Sequence, residues 1–335
     1  NYENLQISFD EGTNILFGDN AQGKTNILES IYLSGTTKSH RGTKDRDMIQ
    51  FGHDEAHIET VVEKNGIPFQ IDMHLKKNSP KGIAINKIPI RKASELFGII
   101  NIVFFSPEDL NIIKNGPAER RRFIDLELAQ LDKLYLSDLS NYNRIINQRN
   151  KLLKDVYNRN DLLETLEIWD LQLIQYGNKI IERRKQFIGQ VNEIISEVHK
   201  KLTGGREELK LYYEPGIGNL EFEKALLKNR ERDIRMKSTS VGPHRDDICF
   251  MTNDLDIRKF GSQGQQRTAA LSLKLSEIEL VKEIIKDTPI LLLDDVLSEL
   301  DKHRQNYLLD SIRDVQTLIT CTGLDDFVNH RFSIN

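Results

Sequence analysis

Gly18-Asp19-Asn20-Ala21-Gln22-Gly23-Lys24-Thr25-Asn26 carries the pattern Gly-x-x-x-x-Gly-Lys-Thr, that of a phosphate-binding P-loop. Gly18 and Gly23 permit the tight turns that aim successive backbone N–H groups at phosphate oxygens. Lys24 would reach the β- and γ-phosphates of a nucleotide. Thr25 would ligate Mg²⁺ through its hydroxyl, at a helix N-terminus whose dipole favours anions. The flanks agree. Asn14-Ile15-Leu16-Phe17 predicts a buried strand leading in, and Ile27 to Leu33 an apolar-faced helix leading out. That context distinguishes the loop from a chance Gly-rich turn.

A second half of such a site lies far along the chain. Ile290-Leu291-Leu292-Leu293 predicts an apolar strand that delivers Asp294 and Asp295 to a sheet edge, the Walker B pattern. Asp294 would hold Mg²⁺ opposite Thr25, mostly through water, and Asp295 would orient or deprotonate the attacking water. Alone, the run would read as a core strand ending in acidic loop residues. Paired with a P-loop, it reads as the catalytic carboxylates.

Composition sets the outer limits. The chain has 335 residues, 38% hydrophobic and 29% charged, enough for one large or two ordinary domains with a real core. No apolar run approaches the ~20 residues of a membrane span, and no signal-peptide pattern opens the chain. Cys249 and Cys321 have no metal-site spacing and make a disulfide framework unlikely; a reducing, cytoplasmic location is expected. With a net charge of −4, any nucleic-acid contact must come from a local basic patch.

Between the two halves the texture changes twice. Residues 55–90 alternate as a β-meander, with Lys64-Asn65-Gly66 as a turn. Ile99 to Phe105 reads as a strand buried on both faces. From about 109 the pattern is helical. Pro117 opens one helix, Leu134 to Leu153 forms a second, and Leu162 to Leu202 is one long amphipathic stretch interrupted at Arg183-Arg184 and ended by Gly204-Gly205. Basic residues cluster at Arg120-Arg121-Arg122 and Arg183-Arg184-Lys185. Arg121, Arg122, Arg183 and Arg184 are candidate DNA contacts, the alternative being a solvated face. Arg41, in the loop after the first helix, is a candidate phosphate contact or a plain loop arginine. Leu209 to Tyr213 predicts a strand, followed later by the polar turn Gly242-Pro243-His244-Arg245-Asp246-Asp247.

Ser262-Gln263-Gly264-Gln265 has the Ser-x-Gly-Gln form of the ABC-type signature. Ser262 and Gly264 open a helix, so a hydroxyl, N–H groups and a positive dipole end converge on one point. This is a second phosphate site, redundant within one monomer. In a head-to-tail pair it would close on the γ-phosphate held by the other subunit. Ser298 and Asp301 stand where a D-loop follows Walker B.

In GDNAQGKTN, FSPEDLNIIKNGPAERRRFID, NQRNKLLK, GPHRDD, GSQGQQR and LLLDDVLSELD, and over nearly its whole length, the chain resembles the RecF family of bacterial recombination mediators. These are relatives of the structural-maintenance-of-chromosomes ATPases. The resemblance implies an α/β fold: a P-loop ABC-type ATPase head from residues 1–108 and 232–335, with an inserted, mostly helical lobe at 109–231. It implies ATP and Mg as cofactors, an ATP-dependent homodimer on DNA at gaps or single-strand/duplex junctions, and weak DNA-stimulated hydrolysis. It also implies cooperation with RecO and RecR in loading RecA. Ser106 to Leu110 stands where the Q-loop glutamine is expected, and Thr322 where a switch histidine would be. Two other classes fit the P-loop: a transporter ATPase subunit, which would co-purify with membranes, and a monomeric kinase, which would lack the Ser-x-Gly-Gln motif.

Overall fold

Unbroken apolar runs and alternating runs build different sheets. The computed structural model, which describes residues 2–156, 163–218 and 220–322, contains both kinds. In chain order the elements are β1 (Thr13–Phe17), α1 (Lys24–Thr36), β2 (Glu55–Lys64), β3 (Ile67–Lys76), β4 (Ser79–Ile85), β5 (Ile88–Pro89) and β6 (Ile102–Phe105). There follow α2 (Pro117–Leu131), α3 (Lys133–Val156), α4 (Leu163–Thr203), β7 (Leu209–Glu214), α5 (Phe222–Met236), β8 (Asp247–Thr252) and β9 (Leu255–Asp256). The last are α6 (Ile257–Phe260), α7 (Gln263–Ile285), β10 (Ile290–Asp294), α8 (Lys302–Ser311) and β11 (Thr317–Cys321). Two compact units result: Asn1–Leu110 with Glu277–Asn335, and Asn111–Ser276.

The first unit holds a parallel sheet in the order β1-β11-β10-β6. Its apolar strands are buried throughout β6 and β11. Helix α1 packs Leu28 and Leu33 into this core. It lies so close that a Cβ on Gly35 would stand 2.5 Å from Ile102. The alternating strands form a separate antiparallel sheet, β2-β3-β4-β5, which buries Ile71, Met73 and Leu75 from one face. Asn65 and Gly66, with φ of 52° and 74°, make the tight turn between β2 and β3 that the sequence predicts.

In the second unit α3 and α4 pack on each other, and β7-β8-β9 forms an antiparallel sheet. Helix α4 has 41 residues, about 60 Å at 1.5 Å per residue. It runs unbroken through Arg183 and Arg184, and Leu162 lies outside the described residues. Gly205 N–H bonds back to Lys200 O at 2.7 Å and closes the helix as a C-cap. Strand β7 is a sheet edge. The Asn192 amide on α4 both donates to Leu211 O (2.7 Å) and accepts from Leu211 N–H (2.8 Å), satisfying backbone groups that an edge strand leaves open.

The return to the head expected at residue 232 differs from the observed boundary, because 232–276 belongs to the second unit. The reason is pairing: β8 needs β7 as its antiparallel partner, and Asp233 is held by Arg149 of α3. Helix α5, against which Gly177 of α4 closes so tightly that a Cβ would meet Phe222 at 2.3 Å, was not foreseen from sequence. Among the described residues no helix is long and apolar enough to cross a membrane.

Candidate nucleotide site

Strands β1, β11 and β10 end in register, Phe17 beside Cys321 and Asp294 beside Thr320. The carboxyl ends of an open parallel sheet are where such folds bind ligands. The loop leaving β1 turns through positive φ at Gly18 (146°), Ala21 (63°) and Gly23 (93°). The alanine pays a conformational cost of about 1–2 kcal/mol, so the surrounding loop enforces its shape. Helix α1 begins at Lys24 with no side-chain cap on its first N–H groups, as an anion-binding N-terminus requires. Lys24 Nζ arches over the loop and donates to Gly18 O (2.6 Å) and Asp19 O (2.7 Å).

The distant carboxylate meets this loop. Thr25 Oγ1 donates to Asp294 Oδ1 at 2.8 Å, and Thr320 Oγ1 donates to the same oxygen at 2.7 Å. A threonine hydroxyl and a carboxylate side by side are hard oxygen donors that fit Mg²⁺, a cation that keeps several of its waters. Asp295 has φ 54°, and its N–H donates to Thr320 Oγ1 at 3.0 Å. Burial, reinforced by the adjacent Asp294 charge, raises the Asp295 carboxyl above its ordinary range against the pull of Ser298 and Lys24. A carboxylate so raised is a stronger base. Thr320 was not singled out from sequence. Its signal was a polar residue one position before the end of a strand that is buried throughout. The position read as the possible switch, Thr322, lies exposed just beyond β11. In the expected Q-loop segment, Ser106 binds its own chain, through N–H (2.8 Å) and Oγ (3.1 Å) to Asp109. Arg41 is exposed in the loop after α1.

The signature lies in the second unit. Ser262 Oγ accepts from Gln265 N–H at 3.2 Å while Gln265 Oε1 accepts from Ser262 N–H at 3.0 Å, a reciprocal capping box at the start of α7. Ser262, Gln263 and Gly264 are exposed there. Gln265 also donates to Glu207 at 3.0 Å. In the segment expected to be a D-loop, Ser298 Oγ donates to Asp295 O at 2.8 Å, and Asp301 caps α8 by accepting from Arg304 N–H at 3.1 Å.

The candidate DNA arginines divide. Arg184 is 2% exposed and cannot reach DNA; this corrects the expectation. It donates to Asp246 (2.6 Å), Asp125 (2.7 Å), Pro243 O (2.7 Å) and Tyr135 Oη (3.0 Å). Arg121 is partly buried and donates to Asp246 O at 2.7 Å. Arg183 is exposed but paired with Asp132. Arg122 remains on the surface. In the turn containing His244, Pro243 and Asp246 are likewise buried, while Arg245 is exposed. Asp246 accepts from Tyr213 and from Gly216 N–H, so its polar groups secure the sheet to the helices.

The family described as the RecF/RecN/SMC N terminal domain matches residues 1–328. The chain is 67% identical over 335 residues to the DNA replication and repair protein RecF of Agathobacter rectalis, covering 100% of this chain and 92% of that protein. The chain belongs to the RecF family. A second RecF, from Lachnospira eligens, is 64% identical over 337 residues, covering 100% of this chain and 93% of that protein. The solved recombination mediator RecF-ATP in the RecFOR pathway superposes with a TM-score of 0.90 at 36% identity, covering 96% of this chain and 88% of that one. An Smc head bound to the winged-helix domain of ScpA shares the fold at a TM-score of 0.52 and 16% identity, covering 96% of this chain and 84% of that one. The α/β ABC-type ATPase head expected for RecF is therefore the fold of this chain.

Proposed function

We propose that this chain is the ATP-driven DNA clamp of recombinational repair, cycling between an ATP-bound head-to-tail dimer on DNA and a monomer released by slow hydrolysis. The observation that carries the reading is the contact between Thr25 and Asp294, which joins the two halves of a nucleotide site in a RecF-family chain. Support for ATP as the nucleotide comes from the solved RecF-ATP relative. Thr25 and Asp294 would hold Mg²⁺, which when bound neutralises phosphate charge. The Lys24 ammonium, freed from Gly18 O and Asp19 O, would bind the β- and γ-phosphate oxygens. Asp295 would accept the proton of the attacking water. Exposed Ser262 and Gly264 would close on the γ-phosphate of a second copy. RecO, RecR and RecA are the partners of this reading, which places the cycle at gaps and stalled forks in the cytoplasm.

The test is fluorescence anisotropy on single-stranded, duplex and gapped DNA with and without ATP, alongside light scattering. ATP is expected to raise both DNA affinity and apparent mass, and Lys24→Met to abolish both gains while remaining folded. ATP-independent DNA binding by a constant monomer would overturn the cycle.

A further inference from the structure

With Arg184 buried and Arg183 paired, the basic surface of the second unit lies elsewhere. Helix α5 carries Lys224, Lys228, Arg232 and Arg235 at spacings of four, four and three residues, all exposed. At 100° per residue these four fall within one quadrant of the helix, opposite the buried Phe222, Leu226 and Asp233. The stripe is about 16 Å long at 1.5 Å per residue. Lys224 is paired with Glu221 at 2.9 Å. Among the described residues no carboxylate pairs with Lys228, Arg232 or Arg235, and Glu231 is the acidic residue at the stripe's border.

The contrast with the other arginines of this unit is chemical. Arg120, Arg149 and Arg258 are each paired with carboxylates of the same unit: Asp247; Asp170 and Asp233; and Asp256 with Glu214 and Asp247. The α5 cations are held out into water by a rigid helix whose opposite face is fixed in the core. In a chain of net charge −4 this stripe is a local reversal of sign.

We infer that the solvent face of α5 tracks the phosphate backbone of DNA. A row of cations about 5–6 Å apart between neighbouring Cβ atoms complements a polyanion carrying one charge per ~1.7 Å of duplex. The contact reads no base edges, so it serves any sequence. The inference rests on the proposed DNA-binding reading and names the surface that performs it.

The experiment compares the full chain with K228E/R232E/R235E and with the neutral K228Q/R232Q/R235Q. Duplex DNA binding with ATP is measured by anisotropy from low to moderate salt. K76E/K77E/K87E, on the β2–β4 sheet of the first unit, makes the same charge change elsewhere and serves as the control. Thermal unfolding and ATP affinity, expected to match wild type in every variant, establish that each is folded. The α5 variants should lose at least tenfold in affinity, with the slope of log K against log salt shallower by about 3 × 0.9, or roughly 2.7. The control should keep the wild-type slope. Wild-type affinity and slope in folded α5 variants would overturn the assignment while leaving DNA binding intact, as would an equal slope change in the control. Absence of DNA binding by the wild type would overturn the underlying reading, and the inference with it.

Discussion

Thr320 Oγ1 donates to the Asp294 oxygen that also accepts from Thr25, at 2.7 Å, and so fixes the carboxylate from the neighbouring strand. The same hydroxyl oxygen accepts the Asp295 N–H at 3.0 Å. One buried side chain thus sets both acidic residues of the site. Thr320→Val keeps the branched shape and removes both bonds. Partners of metal-ligating carboxylates typically contribute 10–100-fold to metal affinity. The Mg²⁺ concentration for half-maximal hydrolysis should rise about tenfold, with a stability loss of about 1–3 kcal/mol from the unsatisfied groups. An unchanged Mg²⁺ titration would remove Thr320 from the site.

Asp295→Asn should lower hydrolysis by about 10²–10⁴-fold, the usual contribution of a general base, with ATP binding retained. Asparagine tolerates the φ of 54° at this position, so the backbone should hold. The raised carboxyl pKa adds a second, independent outcome. A carboxyl raised in the fold contributes stability at low pH that is lost as pH rises through its folded value. The ionised group therefore costs stability near neutrality, and Asn removes that cost. The variant should melt above wild type at pH 7 and lose this advantage as pH falls toward the carboxylate range. Wild-type turnover in single-turnover assays would contradict the assigned role.

Ser262→Arg should still bind ATP, because the P-loop is untouched, yet fail to dimerise. It also breaks the capping box, at about 1 kcal/mol. Ser262→Asn keeps a good N-cap and separates the two effects: its Tm should match wild type, with dimerisation weakened less than by arginine. ATP-dependent dimers of Ser262→Arg in light scattering would defeat the trans-site model.

His244 should make the second unit acid-sensitive. Its Nδ1 accepts from Tyr142 Oη at 2.8 Å and its Nε2–H donates to Thr239 O at 3.0 Å, so the neutral ring is fully used. Burial, with Arg245 and Arg121 adding repulsion, lowers it to about 4. A depressed histidine contributes stability above its unfolded pKa of ~6.5 that is lost as pH falls through the folded value. The loss between pH 7 and 4 is about 3 kcal/mol at most. His244→Gln should be less stable at pH 7 but flatter across that range. Parallel Tm-against-pH curves for the two proteins would contradict this account.

Much of this site could be read from local sequence, for a physical reason. The turn at Gly18 to Gly23 needs residues that tolerate positive φ, and the run Ile290 to Leu293 needs apolar side chains on both faces, so composition alone marks them. The helix start at Ser262 is equally local, since a cap involves residues three apart. Arginine was where local reading failed. Arg120, Arg149 and Arg184 look like surface charge, but each lies four residues from apolar core neighbours: Ile124, Ile145 with Leu153, and Ile180 with Ile188. That spacing places them on the buried stripe, though whether a buried cation is tolerated depends on carboxylates remote in sequence, 127 residues away for Asp247 and 62 for Asp246. The same holds for Thr320, whose role exists only because the sheet order puts β11 between β1 and β10. Sequence determined which residues turn, cap and line strands, because those demands are set within a few residues. Only the tertiary structure decided which charges are neutralised and which side chains meet the site, because these depend on partners that folding alone brings within a few ångströms.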